Sequence, residues 1–353
     1  MPLSDVVTTG RTLGRPLMLR CKLLLFPMCL SRFSSCALLS LALFPFVLAP
    51  MALVQAPART VSDTAPLDAE GEVTVDNHEG SITVTTWDRD RVRYEAEIMP
   101  TDEDPDAEKV SIRARTSDDQ FQLATDHDEG DDESVVFGFD EDGFRWGGID
   151  IPAVHYTITV PGTSALKIDD HESTIDVTGL AGPLHIDIHE GRISVAEQQA
   201  EVVIDSHESP ISITDQTGDV RIDTHEGRME LRRVKGRLTV DTHEGELTAE
   251  ELDGGVRFDT HDGSAQVSFA SLSHPVLADT HDGDVTLILP AGAGFDLDTE
   301  FDDDANLISD FDLQSIRISD EDDDEVNYRG GVNGGGPMVR LESNDGDFSL
   351  RTR

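Results

Sequence analysis

One short pattern recurs along this chain at a nearly constant step, and that regularity constrains the fold more than any other feature. The pattern is Asp-x-His, then Glu or Asp, then Gly or Ser. It starts at Asp169, Asp187, Asp205, Asp223, Asp241, Asp259 and Asp279, and its histidines are His171, His189, His207, His225, His243, His261 and His281. The steps are 18 residues five times and then 20. A fainter copy, Asp76 to Gly80, carries His78, and another, Glu342-Ser343-Asn344-Asp345-Gly346, lacks the histidine.

Apolar residues alternate on both sides of the pattern. Val220, Ile222 and Thr224 lead to a turn at Glu226-Gly227, Met229 and Leu231 follow, and Lys235-Gly236 turns the chain again. The next repeat supplies Leu238, Val240 and Thr242, then Leu247 and Ala249. Alternation with a period of two, bounded by glycine, marks short strands. No helical period is present between residues 165 and 290. Two short strands and two turns in a constant step of 18 residues fit one coil of a parallel β-solenoid. Each coil buries its apolar column on its neighbours, so no repeat is stable alone. The predicted fold is therefore all-β, a parallel β-solenoid (β-helix) with coils about 18 residues long, stacked at roughly 4.8 Å. The Gly or Ser that follows the acid reads as a turn residue that tolerates positive φ.

The organisation follows from this frame. Residues 1–58 form a leader, 59–70 a linker and 71–164 an N-terminal β part interrupted by an acidic insertion at 101–148. Residues 165–295 are the core of the solenoid, 296–329 a second acidic insertion, and 330–353 a Gly-rich stretch with a terminal coil. The first insertion holds sixteen acids and four bases. The second contains Asp302-Asp303-Asp304 and Asp322-Asp323-Asp324-Glu325. Both are expected to stay solvated, without regular structure.

The leader carries Arg11, Arg15, Arg20, Lys22 and Arg32 against Asp5 alone. An uncharged run from Cys36 to Val54 follows, then Ala56-Pro57-Ala58. That order is a secretory signal peptide. An uncleaved anchor is the alternative, and Pro45 and Pro50 interrupt the span it needs. The expected location is extracytoplasmic: periplasm, cell surface or medium. Cys21, Cys29 and Cys36 all lie in the leader, so the remainder has no disulfide and no thiolate metal site.

Charge excludes whole classes of partner. The chain has 27 basic and 71 acidic side chains, a net of −44. It cannot neutralise phosphates, so neither nucleic acid nor an anionic membrane surface is expected to bind. Beyond residue 58 only Lys109, Lys167 and Lys235 remain beside nineteen arginines. Few lysines and many acids are usual in proteins bathed in strong brine, and a halophilic setting is expected.

The repeat also lines up candidate site residues. An inward Ile, Val or Phe precedes each Asp, so the Asp and the His two positions later share the outward face. Stacking draws them into columns containing Asp187, Asp205, Asp223, Asp241 and Asp259, and His189, His207, His225, His243 and His261. Three roles are open for these residues. Asp and His can hydrogen-bond the turn backbone, or each other, in every coil. The pairs can bind a divalent metal, Zn²⁺ where imidazole joins carboxylate or Ca²⁺ where carboxylate acts alone. Protonated histidines can instead offset the column of acids, as a pH-responsive ladder.

Catalytic signatures are missing. There is no His-Glu-x-x-His, no Gly-x-Ser-x-Gly and no phosphate-binding loop. Repeated carboxylates about 5 Å apart match retaining glycoside chemistry in spacing. Every coil offers the same pair, though, whereas an active site needs one distinct pair. The expectation is no enzymatic activity.

With these repeats on the page, the chain resembles the bacterial β-strand-repeat family known as "putative adhesin", a domain of unknown function. The resemblance is carried by Asp241-Thr242-His243-Glu244-Gly245 and its copies, by Val160-Pro161 ahead of the first strong repeat, and by Gly334-Gly335-Gly336 leading into Ser343-Asn344-Asp345-Gly346-Asp347. It covers about residues 70–353. It implies a β-helix-like fold outside the cytoplasm and brings no catalytic residues. The departures are the histidines, where such repeats often have Asn or Ser, and the acidity. The expected function is a non-catalytic structural, adhesion or interaction module, with cation or transition-metal binding by the Asp-x-His columns as the alternative. Its partner would be an envelope or cell-surface ligand, and exposed terminal strands could add end-to-end self-association.

Overall fold

A computed structural model describes residues 56–102, 104–127, 151–302, 305–318 and 326–353, with the backbone alone at 138–140 and 143–145. The leader expected at 1–58 lies almost wholly outside the described residues. Among the described residues no helix is long and apolar enough to cross a membrane.

The described chain is all-β and is a β-solenoid. Two ladders of parallel strands run side by side, joined by the turn that carries the repeat. In the first ladder Val202–Glu208, Val220–Glu226, Leu238–Thr242, Val256–Thr260 and Val276–Thr280 pair in sequence order. In the second, Ile211–Thr217, Arg228–Lys235, Glu246–Asp253, Ser264–Ser271 and Val285–Leu289 do the same. Register is strict: Asp205, Asp223, Asp241, Asp259 and Asp279 fall opposite one another. The first two strong coils, Ala165–Thr178 and Leu184–Ala196, differ from the expected pair of short strands. Each is one long strand running through the turn and serving both ladders.

The core lies between the ladders. Ile168, Ile186, Ile204, Ile222, Val240, Phe258 and Ala278 form one buried column, and Ile175, Ile193, Ile211, Met229, Leu247, Ala265 and Val285 form its counterpart. Large and small residues alternate where they must interdigitate: Phe258 stacks directly on Ala278. The two additional residues in the 20-residue step sit in the loop Leu272–Pro275, so the Asp column keeps its register.

Chain order and spatial order part company at both ends. Glu72–Asp76 and Glu79–Trp87 stack beneath the coil at 165–178. Below them come Gln120–His127, from within the first insertion, and Val154–Pro161, which follows it. The acidic stretch at 101–148 is therefore not wholly unstructured: Val110–Thr116 and Gln120–His127 form an antiparallel pair built into the sheet. Its most acidic part, 128–137, lies outside the described residues. The supposed linker is also a strand, Arg59–Pro66, paired antiparallel with Arg91–Ile98.

At the other end Met338–Ser343 and Phe348–Thr352 insert directly above the coil at 276–289. Phe295–Phe301 and Leu307–Ser309 then stack on the far side of these strands. The second acidic insertion thus begins with a core strand, in which Phe295, Leu297 and Phe301 are buried. Asn327–Val332 runs antiparallel along that strand. Parallel stacking in this ladder ends in an antiparallel strand at each end, Val110–Thr116 below and Asn327–Val332 above.

Candidate functional face

Three columns run along one outward corner of the solenoid. The first is the expected carboxylate column, continued by Asp76 and Asp169 below and by Glu342 and Glu300 above. The third is the imidazole column. Between them lies a column that the sequence reading passed over, the residue x of the repeat, which points inward. Thr224, Thr242, Thr260 and Thr280 are buried there, with Ser343 above and Asn77, Asp170 and Ile188 below.

In the upper coils this middle column does the turn bonding that was one of the three roles open to the acids and histidines. Thr242, Thr260 and Thr280 accept the backbone N–H of Gly245, Gly263 and Gly283 at 2.9–3.0 Å. The Thr224 hydroxyl donates to the Glu226 carbonyl at 2.9 Å, and Ser206 donates to Thr224 at 2.9 Å. The remaining turn bonds run from backbone to backbone between coils. Asp262 N–H reaches His243 O, and Asp282 N–H reaches His261 O, both at 2.8 Å. A hydrogen bond to turn backbone from a column Asp or ladder imidazole side chain, the commonest turn role, is not observed.

The following glycine column is only partly a matter of φ. Gly191 and Gly227 have φ of 137° and 133°. At Gly283 the constraint is close approach, since a Cβ would sit 1.7 Å from the Gly263 carbonyl oxygen below. Ser173 and Ser209 fill the same column elsewhere and are buried.

The histidines form a continuous stack. His78, His171, His189, His207, His225, His243, His261 and His281 follow one another with ring centroids 4.7–5.0 Å apart. Interplanar angles are between 1° and 13°. His127 meets His78 edge-on at 5.8 Å and closes the lower end. The spacing is the strand spacing, imposed by parallel in-register stacking. About half of each ring from His189 to His281 is exposed.

The carboxylate facing each imidazole is that of the next residue, not the Asp two positions earlier. Nδ1 of His189, His207, His225 and His243 lies 3.6–3.9 Å from Glu190, Glu208, Glu226 and Glu244. At His261 and His281 the acid is Asp, and the distance to Asp262 and Asp282 closes to 2.8 Å. The predicted pairs Asp187/His189, Asp205/His207, Asp223/His225, Asp241/His243 and Asp259/His261 share one face but stand on separate columns. Asp223, Asp241 and Asp259, with His225, His243 and His261, line the two walls of an open groove of about 520 Å³ floored by the threonines.

Arginines temper the carboxylate column. Arg221 lies 3.6 Å from Asp223 and Arg257 lies 3.1 Å from Asp259, each placed two residues before its acid on the same face. His185 approaches Asp205 at 3.7 Å. Where that earlier residue is Thr74, Thr239 or Leu277, the acid has no basic residue two positions before it, and at Asp241 and Asp279 only arginines of adjacent coils (Arg221 and Arg257, Arg257 and Arg340) oppose the shift. Asp76, Asp241 and Asp279 are those acids, and each is shifted above the ordinary carboxylate range, first by partial burial and then by neighbouring acids of the column.

Residues 71–351 match the family model described as Toastrack DUF4097. The chain belongs to this family. Toastrack membership agrees with the β-strand-repeat resemblance and spans every coil described above. Among solved structures, the chain is similar to a putative adhesin from Bacteroides fragilis NCTC 9343, at 11% identity and a TM-score of 0.29, over 85% of this chain and 100% of that one. It is similar to a putative cell adhesion protein from Clostridium sporogenes ATCC 15579, at 8% identity and a TM-score of 0.24, over 84% of this chain and 100% of that one. A putative adhesin from Parabacteroides distasonis ATCC 8503 is similar at 11% identity and a TM-score of 0.25, over 84% of this chain and 97% of that one. No curated protein matches the chain.

Proposed function

We propose that this Toastrack chain is a non-catalytic, extracytoplasmic interaction module that engages an envelope or cell-surface ligand along its Asp–Thr–His face. One observation carries the reading. Seven imidazoles, His171 to His281, stand in register with exposed edges, and in the upper coils the turns beneath them are held by threonine hydroxyls and backbone bonds instead. Side chains that the fold does not use, repeated over many coils, are available for contact with an extended partner. The repetition also argues against catalysis, because the Asp column offers much the same outward carboxylate in coil after coil instead of one enclosed pair. An open groove with polar walls suits a long ligand better than a small substrate, which calls for an enclosing pocket. The basic, apolar and small-residue order of residues 1–58 supports export.

The test is binding of the full chain to intact cells and isolated envelopes, compared with the variant His207→Asn, His225→Asn and His243→Asn. Asparagine already occupies the ladder position at Asn344, so the fold is expected to tolerate it. The variant should keep its unfolding midpoint and lose most of its binding. Undiminished binding would remove the face from the reading, and recovery of the chain in the cytoplasm would remove the location.

A further inference from the structure

We propose that the upper end of the imidazole ladder is a transition-metal site, formed by His261, His281 and Asp282 and suited to Zn²⁺ or Cu²⁺. This does not depend on the adhesion reading and assigns different ligands from the Asp-x-His pairs expected from the sequence.

The ladder is not uniform. Up to His243 the residue after each histidine is Glu, and its carboxylate stands 3.6–3.9 Å from Nδ1. In the last two histidine coils, and in the coil above them, that residue is Asp: Asp262, Asp282 and Asp345. The shorter side chain brings the acid to 2.8 Å from the ring. Asp262 and Asp345 both lie against Asp282, so three carboxylates converge beside two stacked imidazoles.

Distances support coordination here. One donor atom from each of His261, His281 and Asp282 lies within 4.8 Å of the other two, and among the described residues no other group of three does this. The centre of an equilateral triangle of that side is roughly 2.8 Å from each corner, while Zn²⁺ needs ligands at roughly 2.0–2.2 Å. Each donor must therefore move inward by less than about 1 Å, and the two parallel rings must also tilt toward each other so that their in-plane lone pairs meet at the ion. The side chains are 43–51% exposed and sit on turns, so such movement meets little packing. Two imidazoles with one carboxylate match the preference of Zn²⁺ and Cu²⁺, whereas Ca²⁺ takes six to eight oxygens. Water would complete the shell. Asp262, 2.8 Å from Nδ1 of His261, is placed to orient that ring, as acids beside metal-bound histidines do.

The experiment titrates the chelator-stripped full chain with ZnCl₂ by calorimetry, in about 1 M NaCl to screen diffuse attraction to the acids. The expected result is one saturable site. His281→Asn and Asp282→Asn should each weaken it at least about 10-fold, the range seen for groups that hold a metal's ligands. His207→Asn should leave it unchanged, and CaCl₂ should give no saturable heat. With Cu²⁺, electron paramagnetic resonance should show coupling to two nitrogens, which His281→Asn reduces to one. Equal losses on changing His207 and His281 would overturn the assignment in favour of diffuse uptake along the ladder. Absence of saturable heat, with Cu²⁺ showing no nitrogen coupling, would overturn it outright.

Discussion

Replacing Asp170 with threonine should stabilise this protein, and the gain should depend on pH. Asp170 stands in the inward column that higher coils fill with Thr224, Thr242, Thr260 and Thr280, and it is only 6% exposed. Neither carboxylate oxygen makes a hydrogen bond. Burial raises its pKa. Ser173, Asn77 and His78 lie near enough to oppose that rise without reversing it. A folded pKa above the unfolded one means that the native state binds the proton more tightly. The associated stability is fully present below the unfolded pKa near 3.8 and is lost as pH climbs through the folded value. At pH 8 the ionised, unpartnered group carries its whole penalty, about 1–3 kcal/mol for a buried polar group left unsatisfied. Asp170→Thr removes that penalty, and Asp170→Asn removes its charge alone. Urea unfolding at pH 8 and near pH 4, in about 1 M NaCl to screen the remaining acids, should show a large rise in midpoint at the higher pH. The rise should be much smaller at the lower pH. An equal gain at both would assign the effect to packing. A loss at pH 8 would mean that the carboxylate is partnered, and would refute the reasoning.

Four further outcomes follow. Gly191→Ala should cost more than about 3 kcal/mol, because a Cβ at φ 137° would lie 2.0 Å from the Ser173 carbonyl oxygen of the coil below. Gly292→Asn, with no atom within 4 Å of its Cβ, should cost under about 1 kcal/mol, both variants being compared with the parent chain by urea unfolding. Phe258→Ala should cost about 3–5 kcal/mol in denaturant unfolding, since rigid neighbours on both faces prevent collapse of the cavity. Lowering NaCl from about 1 M to about 0.01 M should depress the unfolding midpoint, as the screening length grows from about 3 Å to about 30 Å across a chain of net charge −44. A midpoint insensitive to salt would show that local arginine pairs already neutralise the columns.

The solenoid was legible because its signal repeats. One alternation of Val220, Ile222 and Thr224 is weak evidence, but seven copies at one step leave few architectures. The ends were not legible, because there the chain abandons the step. Arg59–Pro66 carries little local signal, and the alternation of Phe295, Leu297, Thr299 and Phe301 was a strand signal overshadowed by the acids around it; the partners of both strands lie far along the chain at Arg91–Ile98 and Met338–Ser343. The second bend was hidden for another reason. Glu197, Asp215, Arg233 and Glu251 take φ of 56–58°, a conformation that their residue types do not announce. On the site, sharing of a face by Asp and His was readable from strand parity. Their partners were not. Thr242 reads as a strand residue, and only the turn geometry shows its hydroxyl capping Gly245. The arginine at i−2 was a signal available in Arg221-Ile222-Asp223 and Arg257-Phe258-Asp259, and it passes unnoticed when only the recurring pattern is followed.

That division of labour bears on why the histidines are there at all. A turn residue kept for geometry should engage the backbone of its own turn, and any substitute should reproduce that contact. The ladder imidazoles make no such contact, and at Asn344 the same turn forms without an imidazole: the N–H of Asp345 still reaches the His281 carbonyl at 2.8 Å, as Asp282 reaches His261. Ser343 keeps the hydroxyl beneath it, bonded to Gly346 O at 2.8 Å. From His225 upward the turn is therefore held by the hydroxyl column and the close-packed glycines, and is indifferent to what stands outside. Aligned rings about 5 Å apart gain modest contact with one another and leave their nitrogen edges facing solvent and carboxylates. A fold indifferent to these side chains separates two measurements that are usually entangled. Asparagine at any rung should leave stability almost untouched, so a change in binding on substitution reports what the imidazoles contact.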